Sequence, residues 1–104
     1  MDRHLCTAAM FGYLEVVKCL VEHGANMEAT TTNQQTPLHM AAFRSYMEVV
    51  EYLVDHGANM EASDNHQQTP LLLAARWGHT EVVKYLIDAA LKFACSALAN
   101  LSTS

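Results

Sequence analysis

The chain has 104 residues, of which 51% are hydrophobic and 16% charged, and its formal net charge is −5. This composition is typical of a single folded domain and excludes an intrinsically disordered chain. The six Lys and Arg residues disfavour sequence-independent binding of nucleic acid, which depends on neutralising phosphates. No apolar run approaches the ~18–20 residues that span a bilayer, and the first residues lack the apolar core of a secretory signal. We therefore expect an intracellular protein, cytoplasmic or nuclear, that does not bind membranes.

The cysteines agree with a reducing compartment. Cys6, Cys19 and Cys95 form no CxxC pair, and their odd number does not suit a disulfide framework. Cys19 occupies a core position of an amphipathic segment, so we predict that it is buried as a small hydrophobic side chain.

A repeat with a period of 33 residues runs through the chain without insertions. Self-similarity at such a period is typical of a stacked array of small units, each of which buries its apolar face against its neighbours. Four sets of identical residues mark the period: Leu5, Leu38 and Leu71; Ala8, Ala41 and Ala74; Glu15, Glu48 and Glu81; Leu20, Leu53 and Leu86.

Each later unit opens with a helix-start motif. Thr36 can accept a hydrogen bond from the backbone N–H of His39, and Pro37 occupies the first helical position, where no N–H donor is needed. The same motif recurs at Thr69–Pro70. We predict a short helix from Pro37 to about Phe43.

The rest of the unit is a turn, a second helix and a polar loop. Ser45 stands where Gly12 and Gly78 stand in the other units, so this turn is expected to need a left-handed backbone. An apolar stripe predicts a second helix over about 47–56. The polar stretch 58–68 is too short and irregular for a helix and reads as an extended turn, which we call a finger.

The segments TPLHMAA, GANMEA and TPLLLAARWGHTEVVKYL, on this period, resemble the ankyrin repeat family, and the resemblance covers about residues 3–88. It implies an all-α solenoid of stacked helix-turn-helix units with β-turn-like fingers. We expect one domain over 1–104, with repeats at about 1–30, 31–63 and 64–90 and a C-terminal helical cap at about 91–104. The resemblance also implies that the first helices and the fingers face a concave groove, and that the protein binds other proteins.

Several residues depart from the family pattern. The first repeat has Arg3-His4 in place of Thr-Pro, so its first helix is expected to start without that cap. Gln34 and Gln67 stand at the finger tips, where the family has glycine, and this predicts a departure from the usual tight turn. Leu72 replaces the histidine found at position 39, which the resemblance places in the hydrogen-bond network of the turn.

The inventory of reactive residues predicts neither catalysis nor a metal site. Glu15, Glu48 and Glu81 repeat along one outer face at intervals of about 10 Å, too far apart to share a proton or flank a substrate. His23 and His56 are equivalent residues of successive repeats, so they cannot both lie ~2.1 Å from one zinc ion. No Gly-rich loop follows a strand to hold phosphate. We expect no enzyme activity and no cofactor.

A column of large side chains marks the candidate binding surface. It lies at the end of the first helix of each repeat, at positions that repeat packing does not require. Its residue types are those that dominate protein interfaces. Some members can alternatively cover the junction between repeats. The column consists of Met10, Phe11 and Tyr13; Phe43, Arg44 and Tyr46; and Arg76, Trp77 and His79.

Charge and polarity narrow the class of partner. Arg44 and Arg76 fall on this column, while most carboxylates fall on the outer helices or the finger bases. We therefore predict a locally cationic groove that binds another protein through an acidic or acidic-aromatic segment. The fingers add polar side chains suited to the rim, namely Thr32, Asn33, Gln35, Asn65, His66 and Gln68.

The end of the chain leaves alternatives open. After Asp88 the register fails, and apolar residues at helical spacing predict that the last helix continues to about Asn100. A terminal repeat should present a polar face to water, yet this segment carries Leu91, Phe93 and Leu98. It either caps a monomer or mediates a homodimer as part of a structural, self-associating unit. The chain can also be a segment of a larger ankyrin-repeat protein whose activity lies elsewhere.

Stability is expected to be low. Repeat arrays need about three units before the contacts between them outweigh the entropy of ordering the chain. This chain has three, so we expect the first repeat to fray.

Overall fold

The computed structural model describes the backbone of residues 2–103 and the side chains of residues 4–92. Six helices follow one another, and within this part of the chain there is no strand: α1 (Asp2–Phe11), α2 (Leu14–Glu22), α3 (Pro37–Arg44), α4 (Met47–Asp55), α5 (Pro70–Arg76) and α6 (Thr80–Thr103). The all-α fold class and the helix pair in each repeat are thereby confirmed.

The helix pairs stack in two layers. In one layer α3 packs between α1 and α5, and in the other α4 packs between α2 and α6. The molecule measures 41 × 32 × 24 Å along its principal axes. Over the residues that the structure describes, no helix is both long and apolar enough to cross a membrane.

The core lies between the layers and continues from one repeat to the next. Ala8, Ala41 and Ala74 are buried, and their small side chains let the first helices approach closely. Leu53 and Leu86 fill the space between the layers. The repeated residues of the sequence are therefore largely those that hold the stack together.

The helix starts are built as the sequence predicts. The hydroxyl of Thr36 accepts a hydrogen bond from the backbone N–H of His39 at 3.3 Å. Thr69 accepts one from the N–H of Leu72 at 3.2 Å. Each cap satisfies one of the free N–H groups at the start of a helix, which typically stabilises a protein by about 1 kcal/mol.

The turn after α3 confirms the expectation for Ser45. This residue adopts φ 61° and ψ 37°, and Gly12 and Gly78 have φ of 75° and 73° in the other two repeats. A left-handed backbone costs a residue with a Cβ about 1 kcal/mol relative to glycine. This turn of the middle repeat therefore carries strain that the equivalent turns of the other two repeats lack.

The expectation that Gln34 and Gln67 change the tight turn of the fingers is wrong. Both residues adopt a left-handed backbone, with φ of 63° and 61°, and the tight turn is kept. The N–H of Gln34 donates to the carbonyl of Thr31, and that of Gln67 to the carbonyl of Asp64, both at 2.9 Å. Hydrogen bonds of the turn thus hold a backbone that glycine would adopt without strain.

The prediction for Cys19 is wrong, because its side chain is exposed. Its equivalents Tyr52 and Tyr85 are partly buried and pack against the core, each beside a preceding repeat. Within the described residues, no repeat lies on the side of α2 that Cys19 faces, so this side chain is exposed to solvent. Cys6 is buried, and Cys95 lies outside the residues whose side chains are described.

Helix α6 continues well past the repeat, as predicted, and ends at Thr103. Leu91 is exposed, whereas the side chains of Phe93 and Leu98 lie outside the described residues. The role of 91–104 as a cap stays a prediction.

Candidate functional site

A groove with a volume of about 540 Å³ runs along the first helices of all three repeats and the two fingers between the repeats. It is continuous because equivalent side chains from successive repeats lie beside one another. Its lining residues are Cys6, Thr7, Met10, Thr31, Thr32, Asn33, Gln35, Met40, Phe43, Arg44, Gln68, Leu73, Arg76 and Trp77.

The structure brings together eight of the thirteen residues that the sequence proposes as a binding site. Five others lie outside this groove, for reasons that their contacts show. Those that line it are Met10, Asn33, Gln35, Phe43, Arg44, Gln68, Arg76 and Trp77; those outside it are Phe11, Tyr13, Tyr46, His66 and His79.

Tyr46 and His79 lie at the junctions between repeats. Tyr46 packs so closely on Gly12 that a Cβ added there would lie 2.9 Å from the tyrosine ring. The His79 Nε2 lies 2.7 Å from the backbone carbonyl oxygen of Phe43, so it carries the proton and donates to that oxygen. Both side chains thus contact the preceding repeat.

Phe11 and Tyr13 stack on each other, with ring centroids 5.9 Å apart, and both are exposed. His66 is exposed at the second finger. None of these three side chains lines the groove.

Sequence reasoning missed a second column of lining residues. These residues are Thr7, Met40 and Leu73, which occupy equivalent positions in the three repeats. Each lies three residues before a predicted binding residue, namely Met10, Phe43 and Arg76. Side chains three residues apart share one face of a helix. The signal was therefore present in the helical spacing.

An aromatic pair and two arginines give the groove its chemical character. Phe43 and Trp77 meet edge to face, with centroids 5.2 Å apart and planes at 76°. The Arg44 Cζ lies 5.7 Å from the centre of the Phe43 ring, within range of a cation–π contact. Arg44, Arg76 and Trp77 are all exposed. The groove therefore offers an aromatic surface beside two accessible guanidinium groups.

The fingers are tied to each other by side chain and backbone. Gln35 Nε2 donates to Asp64 Oδ2 at 3.1 Å, and the N–H of Asn65 donates to the carbonyl of Asn33 at 3.0 Å. Asp64 Oδ1 also accepts from the N–H groups of His66 and Gln68. The rim of the groove is thus a connected structure rather than two separate loops.

The ionisation of Asp64 follows from this network. Burial alone would raise the pKa of its carboxyl. The hydrogen bonds from Gln68, Gln35 and His66 outweigh burial and hold the pKa below its usual value. The carboxylate is therefore charged at neutral pH.

His39 joins α3 to the second finger. Its Nδ1 accepts from the N–H of Thr36 at 3.0 Å, and its Nε2 lies 2.8 Å from the Gln68 carbonyl oxygen, to which it donates. The bond at Nδ1 confirms the prediction that this residue belongs to the turn network. Burial holds the pKa of His39 below its usual value, because a charged imidazole would lose hydration there.

Metal-binding side chains do not cluster. Within residues 4–92, no group of three or more His, Cys, Asp and Glu side chains is placed to hold a metal ion. His23 and His56 instead contact the ends of their own helices, with Nδ1 at 2.7 Å from the Cys19 carbonyl oxygen and 2.9 Å from that of Tyr52.

Comparison with known families agrees with the geometry. A family model described as ankyrin repeats, in three copies, matches residues 5–96. A comparison of the sequence with curated proteins found no similar protein. The family match covers most of the chain, and its three copies correspond to the three helix pairs of the stack. The chain therefore belongs to the ankyrin repeat family.

Proposed function

We propose that this protein binds a partner protein in the groove and carries out no chemistry of its own. Ankyrin repeats are generally protein interaction modules, and the family is typically not enzymatic. The partner segment that suits this groove is acidic, with an aromatic or aliphatic side chain as its anchor. The observation that carries the proposal is the exposed Trp77 and its partner Phe43, placed beside Arg44 and Arg76.

The apolar part of the groove supplies the anchor site. Met10, Met40 and Leu73 line it together with the aromatic pair. Large rigid side chains of this kind contribute most of the affinity in protein interfaces, because they bury much surface at a small entropic cost. A volume of about 540 Å³ accommodates a few side chains of a partner rather than a whole domain.

The charged part supplies selectivity. The protein as a whole is acidic, at −5, yet two of its basic side chains, Arg44 and Arg76, line this one groove. A guanidinium group can hold a carboxylate with two parallel hydrogen bonds. Acidic residues that flank the anchor of the partner would therefore be recognised, and association would weaken as salt concentration rises.

A single copy of the chain contributes every residue that lines the groove. We therefore propose that the monomer is competent to bind. The proposed place of action is an intracellular compartment, cytoplasm or nucleus, in keeping with the exposed thiol of Cys19.

The test is a selection of random displayed peptides on the whole protein. We expect enrichment of Asp and Glu beside an aromatic or aliphatic residue, and at least about tenfold weaker binding to Trp77→Ala and to Phe43→Ala. Phe11→Ala is the matched control, since this aromatic side chain is exposed but lies outside the groove.

The groove assignment is wrong if the Trp77 and Phe43 variants stay folded by circular dichroism and keep an affinity within about threefold of the parent. An enrichment for basic peptides would contradict the proposed partner class while leaving the groove in place.

A further inference from the structure

Each end of the stack exposes residues whose equivalents inside the stack contact the neighbouring repeat. We call the exposed side chains of Tyr13 and Val16 the head face. Gly78 and Ile87, at the other end, form the tail face. Neither face takes part in the groove.

The first of these contacts is the packing of an aromatic ring on a glycine. Inside the stack, the ring of Tyr46 packs directly on Gly12 of the preceding repeat. Tyr13, one period before Tyr46, is exposed. Gly78 is equivalent to Gly12, and apart from its two chain neighbours no described residue has an atom within 4 Å of the place where its Cβ would be. The head face thus has the ring without the glycine, and the tail face has the glycine without the ring.

The second of these contacts is made by aliphatic side chains. Val49 is 1% exposed, whereas its equivalent Val16 at the head face is 46% exposed. Val54 is 3% exposed, whereas its equivalent Ile87 at the tail face is 43% exposed. These differences arise because Val49 has a preceding repeat beside it and Val54 a following one.

We propose that the head face of one copy docks on the tail face of a second copy and continues the stack in the same register. In this arrangement Tyr13 packs on Gly78, as Tyr46 packs on Gly12. Val16 and Ile87 then become buried, as Val49 and Val54 are. The second copy is the occupant because its surface repeats the interface that already joins the repeats.

The long last helix leaves the tail face accessible. Gly78 lies just before α6, which begins at Thr80 and runs for 24 residues, about 36 Å at the usual rise. The continuation past the repeat therefore leaves from the end of α6 that is distant from Gly78.

A head-to-tail contact is heterologous, so each dimer keeps one free head and one free tail. Association should therefore proceed beyond dimers as protein concentration rises. The net charge of −5 opposes it, and salt should strengthen it by screening that repulsion.

The experiment uses two complementary variants of the whole chain. Val16→Glu places a charge in the head face only, and Ile87→Glu in the tail face only. Both side chains are exposed in a single copy, so each variant should fold, which circular dichroism checks. Glu48→Gln, on an exposed residue of the middle repeat, is the control.

Sedimentation equilibrium supplies the readout. For the parent and Glu48→Gln, we expect the average mass to rise at least about twofold between roughly 10 µM and 1 mM. Each face variant alone should stay monomeric, because it retains one usable face but no partner for it. An equimolar mixture should form a dimer and nothing larger, since Val16→Glu keeps its tail and Ile87→Glu keeps its head.

A parent that stays monomeric over this range overturns the proposal. So does association that persists in both single variants, which would place the contact elsewhere, such as the C-terminal helix. A mixture that remains monomeric while the parent associates would equally exclude the head-to-tail arrangement.

Discussion

The imidazole of His39 links two repeats, because its Nε2 donates to the carbonyl oxygen of Gln68 at 2.8 Å while its Nδ1 accepts from the Thr36 N–H. This geometry requires a neutral ring. A proton on Nδ1 would face the N–H donor of Thr36, and the charged ring would lose hydration in the core.

The stability of the stack should therefore depend on pH through His39. Its pKa in the folded protein is lowered, so the unfolded chain binds a proton more readily. Stability is fully present above the unfolded pKa of about 6.5 and falls as the pH drops below it. Urea unfolding at pH 7.5 and 5.5 measures this loss. In His39→Leu the loss between these pH values should shrink, whereas in His66→Asn, at an exposed position, it should not.

Asp64 should contribute strongly to the stability of the second finger. Asp64→Ala removes the acceptor of three hydrogen bonds and is expected to lower the free energy of unfolding by about 2–3 kcal/mol. Asp64→Thr copies Thr31, whose hydroxyl accepts the equivalent bonds from Asn33 and Gln35, and should cost less. Because the folded pKa is lowered, this contribution is present above pH ~4 and lost as the pH falls further. Equal losses for the two variants in urea unfolding would contradict this account.

The turn glycines offer a matched set of substitutions. Ser45→Gly should stabilise the protein by about 0.5–1 kcal/mol, because it removes the left-handed strain of Ser45. Gly12→Ala should cost more than Gly78→Ala, since both add strain but only the first also pushes a Cβ against the Tyr46 ring. Thermal unfolding in dilute solution compares all three. A Gly78→Ala cost equal to that of Gly12→Ala would show that the ring contact contributes nothing.

Two equivalent tyrosines, Tyr52 and Tyr85, should respond differently to loss of the hydroxyl. The Tyr52 hydroxyl is buried and has no hydrogen-bond partner among the described residues, so Tyr52→Phe should raise the melting temperature. The Tyr85 hydroxyl donates to Asp55 at 3.2 Å, and burial together with Asp55 raises its pKa to about 12. Tyr85→Phe should lower the melting temperature or leave it unchanged. A rise of similar size in both variants would contradict the difference in bonding.

The first repeat should open before the others. Helix α2 buries only Val17, whereas α4 buries four residues, Val49, Val50, Leu53 and Val54. Amide hydrogens of α2 are therefore expected to exchange faster than those of α4. Hydrogen exchange followed by NMR measures the difference, and uniformly high protection across residues 1–20 would exclude fraying.

Much of the fold could be predicted from the repeat itself. The period of 33 residues, the Thr-Pro starts and the turn glycines place five of the six helices within a residue or two. These signals are local, because they arise from capping and backbone conformation. The strain at Ser45 could be predicted for the same reason: two glycines in equivalent positions showed what the turn requires.

The predictions that failed concern residues whose structure depends on their neighbours in space and not on their own residue type. Cys19 is exposed because, among the described residues, no repeat packs on its side of α2. Gln34 and Gln67 keep a glycine-like turn because the finger hydrogen bonds stabilise it. Likewise, the repeated position shared by Tyr46 and His79 lies at the junction between repeats and not in the groove, and only the contacts of these side chains with Gly12 and Phe43 show this.

The edge-to-face pair of Phe43 and Trp77 has a consequence for how specificity can change. Trp77, Arg44 and Arg76 are exposed, while His39, which makes one of the hydrogen bonds that join the repeats, is buried. Substitutions at exposed positions usually alter stability by less than about 0.5 kcal/mol. New partner preferences can therefore be acquired at the exposed positions, one side chain at a time, without first acquiring a more stable scaffold.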